Sequence, residues 1–162
     1  MAIRNIVKKG DKVLETGCRP VTEFNSRLHT LLDDMRDTLK ESGGVGLAAP
    51  QVGILRRVVL VLETNVDEEG DEYFIELINP EIIGEDGEQI GSEGCLSLPG
   101  KYGIVSRPDY VKLRAQDRFG NTFEVEGEHL TARCFCHELD HLNGVLFTER
   151  AIRMLEPDEL DS

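Results

Sequence analysis

The sequence predicts an α+β domain in which small antiparallel sheets pack around a central helix, with an amphipathic helix near the N-terminus. Three observations lead there. Apolar residues first recur at helical intervals, then fall into two successive pairs of short strand-like runs, and finally return to helical spacing just before a glycine. Helix, strands and helix in that order, without the strict alternation that builds parallel sheets, is the α+β pattern.

The first helix is read over residues 24–42. Leu28, Leu31, Leu32, Met35 and Leu39 form one apolar stripe there, charged residues fill the other face, and Gly43-Gly44 supplies a stop. Residues 58–62 are a β-branched apolar run, and residues 73–78 form a second strand closed by Asn79-Pro80. The acidic stretch Asp67-Glu68-Glu69-Gly70-Asp71-Glu72 reads as the solvated turn that joins them in a hairpin. Residues 110–116 and 122–126 alternate on either side of Arg118-Phe119-Gly120-Asn121, which predicts a second hairpin. Residues 128–143 return to helical spacing, with Gly144 placed to end the helix in the left-handed conformation.

A chain of 162 residues without repeats or a low-complexity linker suits one domain over 1–162, with 148–162 as a short acidic C-terminal tail. Eighteen Lys and Arg against 31 Asp and Glu give a net charge of −13, which works against a phosphate backbone, so no direct nucleic-acid binding is expected. No run approaches the roughly 20 apolar residues of a membrane span, and the start lacks the apolar stretch of a signal peptide, so a cytoplasmic protein is expected. Cys18, Cys95, Cys134 and Cys136 are few for a chain that can build its own core, which favours thiols or a metal ligand, although an even count leaves two bridges open.

The chemistry concentrates in three places. His137-Glu138-Leu139-Asp140-His141 fits H-E-x-x-H, whose spacing puts two imidazoles one helical turn apart on one face, within reach of a single ion. Glu138 follows the first ligand, where its carboxylate can take or return the proton of a water on that ion. The bland alternative is a pair of surface histidines beside a salt-bridging glutamate. A catalytic site needs a third protein ligand, and Cys95 is the best candidate because the glycines and proline of the stretch from Gly91 to Gly100 allow a tight loop to present a thiolate. On its own, Cys95 reads more readily as an ordinary small loop residue, and the helical motif shifts that balance. The third place is the strip from Gly43 to Gly53, small residues ending in Pro50 and Gln51. It can offer main-chain hydrogen bonds to an extended peptide, and Gln51 an amide to a developing oxyanion, or it can simply cap the preceding helix. No Gly-Lys-Ser/Thr follows these glycines, which argues against a phosphate cradle.

Taken together, GVGLAAPQ at 44–51, EGCLSLP at 93–99 and HELDH at 137–141 resemble the three signature motifs of the peptide deformylase family, over about residues 13–147. The resemblance implies hydrolytic removal of the N-formyl group from the initiator methionine of new polypeptides, with release of formate. It implies that Cys95, His137 and His141 bind one divalent metal, that Glu138 is the general base and acid, and that Gln51 and the backbone N–H of Leu96 form the oxyanion hole. Backbone groups of Val45, Gly46 and Gly94 would hold the substrate as an added strand. The donor set accepts Zn²⁺, Ni²⁺ or Co²⁺ as well as Fe²⁺, and the resemblance implies Fe²⁺ in the cell. The expected partners are N-formylmethionyl peptides and nascent chains.

Two features depart from the family pattern. Cys136 stands where glutamine is common before the first motif histidine. The tail is short and acidic where some members carry a long basic helix that docks on the ribosome, so ribosome proximity rests on the substrate alone. Cys134 and Cys136, two apart on a helix, point away from each other, and at least one is expected in the core. His29 and His129 are read as solvent-facing. Asp140 and Arg107 read either as a pair that fixes the metal helix against the strands or, equally, as two separate surface charges. Two other readings compete: a peptidase that uses the same histidines, for which a cysteine ligand is unusual, and an idle binding module of the same fold.

Overall fold

The computed structural model describes residues 2–63 and 73–159. In chain order the elements are α1 (Ser26–Ser42), β1 (Gly46–Ala48), β2 (Val58–Glu63), β3 (Tyr73–Asp86), β4 (Gln89–Cys95), β5 (Leu98–Arg107), β6 (Tyr110–Gln116), β7 (Thr122–Glu128), α2 (Leu130–Leu142), α3 (Phe147–Arg150) and β8 (Arg153–Met154). One sheet has five strands in the order β1-β2-β3-β6-β7 and the other has three in the order β4-β5-β8. All the strand pairings within them are antiparallel.

The five-stranded sheet is covered on both faces, which explains the continuous apolar run in β2. Val58 and Leu60 pack with Leu28, Leu32, Met35 and Leu39 of α1. Val59 and Val61 point the other way, toward Ala132, Phe135, Leu139 and Leu142 of α2. Asn25 caps α1 by accepting the Leu28 N–H at 3.2 Å, and Gly43 ends it at φ 71°. Helix α2 is buried on every side from Thr131 to Leu142, so it is central, with the large sheet on one face and the small sheet on the other.

Several boundaries moved. The first helix begins after its Asn25 cap and not at residue 24. The second predicted helix begins at Leu130, because Glu128 still belongs to β7 and His129 turns the chain with φ 56°. Asn79-Pro80 does not close the third strand: β3 runs through it as a bulge, with a register shift between Ile78 and Glu81. The side chain of Asn79 stabilises the bulge by accepting the Val21 N–H at 2.8 Å and donating to Val21 O and Gln116 Oε1. The stretch from Gly91 to Gly100 is no loop but a hairpin of β4 and β5, turning at Leu96-Ser97. Paired β2 and β3 agree with the first predicted hairpin, while its acidic turn lies outside the described residues. The tail is partly structured, since α3 follows Leu146 and β8 pairs with β5. No helix among the described residues is long and apolar enough to cross a membrane.

Candidate active site

The three predicted ligands converge. Cys95 ends β4, His137 and His141 lie one turn apart on α2, and their donor atoms all fall within 4.8 Å of one another. The Cys95 Sγ is 3.3 Å from His141 Nε2. A tetrahedral ion with bonds of about 2.0–2.3 Å separates its donors by about 3.3–3.7 Å, so this spacing fits one. All four cysteines are free thiols, which removes the two-bridge alternative.

The orientation of His137 is held from behind. Its Nδ1 donates to Glu93 Oε1 at 2.8 Å, leaving Nε2 for the ligand side, and the ring stacks on Phe147 at 6.1 Å. Glu93 is buried and also accepts Arg107 through both oxygens at 2.8 Å and Arg133 Nη1 at 2.6 Å. Burial opposes its ionisation, but the hydrogen bonds from Arg107 and His137 outweigh that and hold its carboxyl down at about 2. Of the two readings of Arg107 and Asp140, the structure has the pair, at 2.7 Å.

The donor chemistry asks for a cation. Burial works against the His137 imidazolium, yet Glu138, the Cys95 sulfur and Glu93 together hold it up at about 10. Burial and the neighbouring His137 charge press His141 down to about 3, which leaves a neutral imidazole ready to ligate. Two buried polar atoms here, Glu138 Oε1 and His141 Nδ1, have no hydrogen-bond partner in the structure. The triad therefore fits a divalent ion in charge as well as in spacing.

Glu138 stands beside the triad with its carboxylate against Gly46. A Cβ built on Gly46 would lie 2.5 Å from Glu138 Oε2, so only glycine admits this approach. Burial above all pushes the Glu138 carboxyl up, to about 7, against the lowering effect of His137. Gln51 is fixed by its Oε1, which accepts the Ala48 N–H at 3.0 Å, so its amide NH₂ faces the Cys95–Ser97 turn, 3.6 Å from Cys95 Sγ and 3.2 Å from Ser97 Oγ.

These groups open on a cleft of about 380 Å³ whose walls include Val45, Gly46, Gly94, Leu96, Tyr102 and Leu130. The cleft runs between two sheet edges, β1 of the large sheet and β4 of the small one. Val45 O accepts the Leu62 N–H at 2.8 Å and Gly46 registers opposite Val61, so by antiparallel alternation the N–H and C=O of Gly46 point to the open edge.

The sequence matches the model of the polypeptide deformylase family over residues 3–156. The chain belongs to this family. A peptide deformylase of Lachnoclostridium phytofermentans is 57% identical over 150 residues, covering 93% of this chain and 90% of that one. The crystal structure of a peptide deformylase from Legionella pneumophila is 42% identical, covering 97% and 88% of the two chains, with a TM-score of 0.85. A class I type b peptide deformylase from Acinetobacter baumannii, solved with Met-Ala-Ser bound, is 35% identical over 91% of this chain and 98% of that one, with a TM-score of 0.83. At these similarities, over nearly whole chains, peptide deformylase activity comes with membership, and with it the metal-binding triad of Cys95, His137 and His141.

Sequence reasoning missed the deformylase site's inner support. Glu93 is visible in the sequence only as one residue of a motif, although residues two apart on a strand share a face and Glu93 therefore points with Cys95. Arg133 gave no signal, because its partners come from β4 and β5. Cys134 and Cys136 are both buried, Cys134 beside the cleft, and burial pushes their thiols up to about 12 and about 11. His29 is only partly exposed, its Nε2 lying 2.8 Å from Arg118 O, which corrects its reading as solvent-facing. His129 is exposed, with Nδ1 3.0 Å from Asp109 Oδ1.

Proposed function

We propose that the chain hydrolyses the formamide bond of N-formylmethionyl peptides and nascent chains, releasing formate, with Glu138 as general base and acid. The observation that carries this is the placement of a buried carboxylate, with one oxygen unpartnered, between a Cys/His/His triad and the outward-facing backbone of an unpaired strand edge. A divalent ion on the triad supplies Lewis acidity and lowers the pKa of water. Glu138 accepts the proton of the attacking water and passes it to the departing methionine nitrogen. The raised affinity of Glu138 for a proton suits both halves of that transfer.

The other roles follow from position. The NH₂ of Gln51 and the N–H of Leu96 would meet the charge that develops on the formyl oxygen, Gln51 being held in advance by Ala48. Gly46 and Gly94, with Val45 beside them, would pair with the substrate backbone as an extra strand, which reads no downstream side chain. The apolar walls Val45, Leu96 and Leu130, with Cys134, suit a methionine side chain, so formyl-Asp peptides should be poor substrates. We take Fe²⁺ to be the ion in the cell, with Zn²⁺, Ni²⁺ or Co²⁺ replacing it on purification, and the cytoplasm, near the ribosome, to be where the substrate is met.

The test is formate release from a formyl-Met tripeptide by protein purified without oxygen, beside Glu138→Gln. Release by the wild type and a loss of about 100-fold or more in the folded, metal-loaded variant are expected. Near-normal turnover by the variant would refute the role of Glu138. Metal analysis of the same preparation checks the iron assignment, which fails if no iron is found and ferrous salt adds no activity.

A further inference from the structure

A chain of alternating charge runs from the surface to a metal ligand. Arg150, half exposed at the end of α3, donates Nε to Asp140 Oδ2 at 2.5 Å and Nη2 to Asp140 Oδ1 at 3.0 Å. Asp140 Oδ2 also accepts Arg107 Nη1 at 2.7 Å. The other edge of the Arg107 guanidinium holds both oxygens of Glu93 at 2.8 Å, and Glu93 Oε1 accepts His137 Nδ1 at 2.8 Å. Every member inward of Arg150 is buried.

We propose that Arg150 is a positioning residue for the metal ligand His137, acting through Asp140, Arg107 and Glu93. This rests on the metal-site reading of Cys95, His137 and His141. A guanidinium is a rigid planar fork, so Arg107 cannot change its grip on one carboxylate without moving on the other. Among the described residues, Arg150 is the only hydrogen-bond partner of Asp140 Oδ1. Without it, Asp140 turns that oxygen toward Arg107, draws the guanidinium outward and loosens the Glu93 carboxylate that fixes the His137 ring. Arg133 still holds Glu93 at 2.6 Å, which limits the displacement. The effect is therefore smaller than the roughly 10–100-fold typical when a group in direct contact with a ligand is removed.

The experiment loads the wild type, Arg150→Met and Arg150→Lys with Co²⁺ and follows release to a chelator by the visible absorbance of the bound ion. Arg150→Met should lose cobalt about 3–10-fold faster, with an altered visible band and an unchanged KM for formyl peptide. Arg150→Lys should recover part of the difference, because an ammonium can still satisfy one Asp140 oxygen. Arg153→Met is the control: Arg153 lies on the same tail and pairs with Glu159 without touching Asp140, so its cobalt should leave at the wild-type rate. Wild-type release by Arg150→Met overturns the proposal. So does equal acceleration in Arg153→Met, which would assign the effect to tail docking, or no recovery by lysine, which would assign it to packing. Cobalt retention is read without substrate, so a failure of the deformylase reading would appear separately, as absent formate release by the wild type.

Discussion

Replacing Glu93 by glutamine should destabilise the metal-free protein by about 3 kcal/mol at pH 7, and the loss should shrink as the pH falls. Glutamine keeps the shape and an oxygen for His137 Nδ1, so the change removes mainly charge, from a carboxylate that two arginines approach within 2.6–2.8 Å. The magnitude follows from the carboxyl being held at about 2 in the fold against an ordinary 4.5, a difference equivalent to about 3 kcal/mol. The folded state binds the proton less readily than the unfolded one. The stabilisation is therefore complete well above pH 4.5, fades as the pH drops, and is gone below about 2. Near pH 3 about 1.5 kcal/mol should remain. Urea unfolding of the chelator-treated wild type and variant at pH 7, 4.5 and 3 measures this. A difference under about 0.5 kcal/mol at pH 7, or one that stays constant down to pH 3, would refute the reasoning and reduce Glu93 to a packed polar residue.

Metal binding should release protons. His137 is held protonated at neutral pH in the empty site and must deprotonate to ligate, so titration calorimetry in buffers of different ionisation enthalpy should show about one proton or more released per ion, with affinity falling as the pH is lowered; a buffer-independent heat would contradict this. Gly46→Ala should fold and hold metal yet lose about 10–100-fold in kcat, because the added carbon would displace the Glu138 carboxylate; wild-type kcat would show that Glu138 need not stand there. Cys134 should resist iodoacetamide at pH 8 in the folded protein, since burial pushes its thiol up to about 12, while half-buried Cys18 reacts faster; peptide mapping that finds both labelled at one rate would count against it.

What could be read in the sequence, and what could not, divides by range. The stripe from Leu28 to Leu39, the capping residues around it and the H-E-x-x-H spacing are local periodicities, and each appears in the structure within a few residues of its predicted place. Bulges and hairpins inside glycine-rich stretches were not legible. Asn79-Pro80 looks like a strand end until Val21 and Gln116, from elsewhere in the chain, satisfy the Asn79 side chain. The stretch from Gly91 to Gly100 looks like a loop because glycine hides strand periodicity, whereas the pairing partner of Gly94 is Tyr102, whose ring occupies the space a side chain would need. The convergence of Cys95 on His137 rested on three motifs read jointly, since no single segment contains it.

The residues beyond the motifs explain why the site needs so much buried charge. Among the described residues the two sheets leave one edge of β1 and one edge of β4 open, which creates a cleft able to take an extended chain but removes the strand contacts that would otherwise hold Cys95 and the start of β1 from that side. The fold compensates from the rear. Glu93 sits one residue from Gly94 on the cleft edge and ties β4 to β5 through Arg107 and to α2 through Arg133 and His137. Replacing such a cluster with apolar side chains could preserve stability, but apolar contacts are not directional and would leave the His137 ring free to turn. A hydrogen-bonded carboxylate specifies one tautomer and one ring orientation, which is what a metal ligand beside an open groove requires.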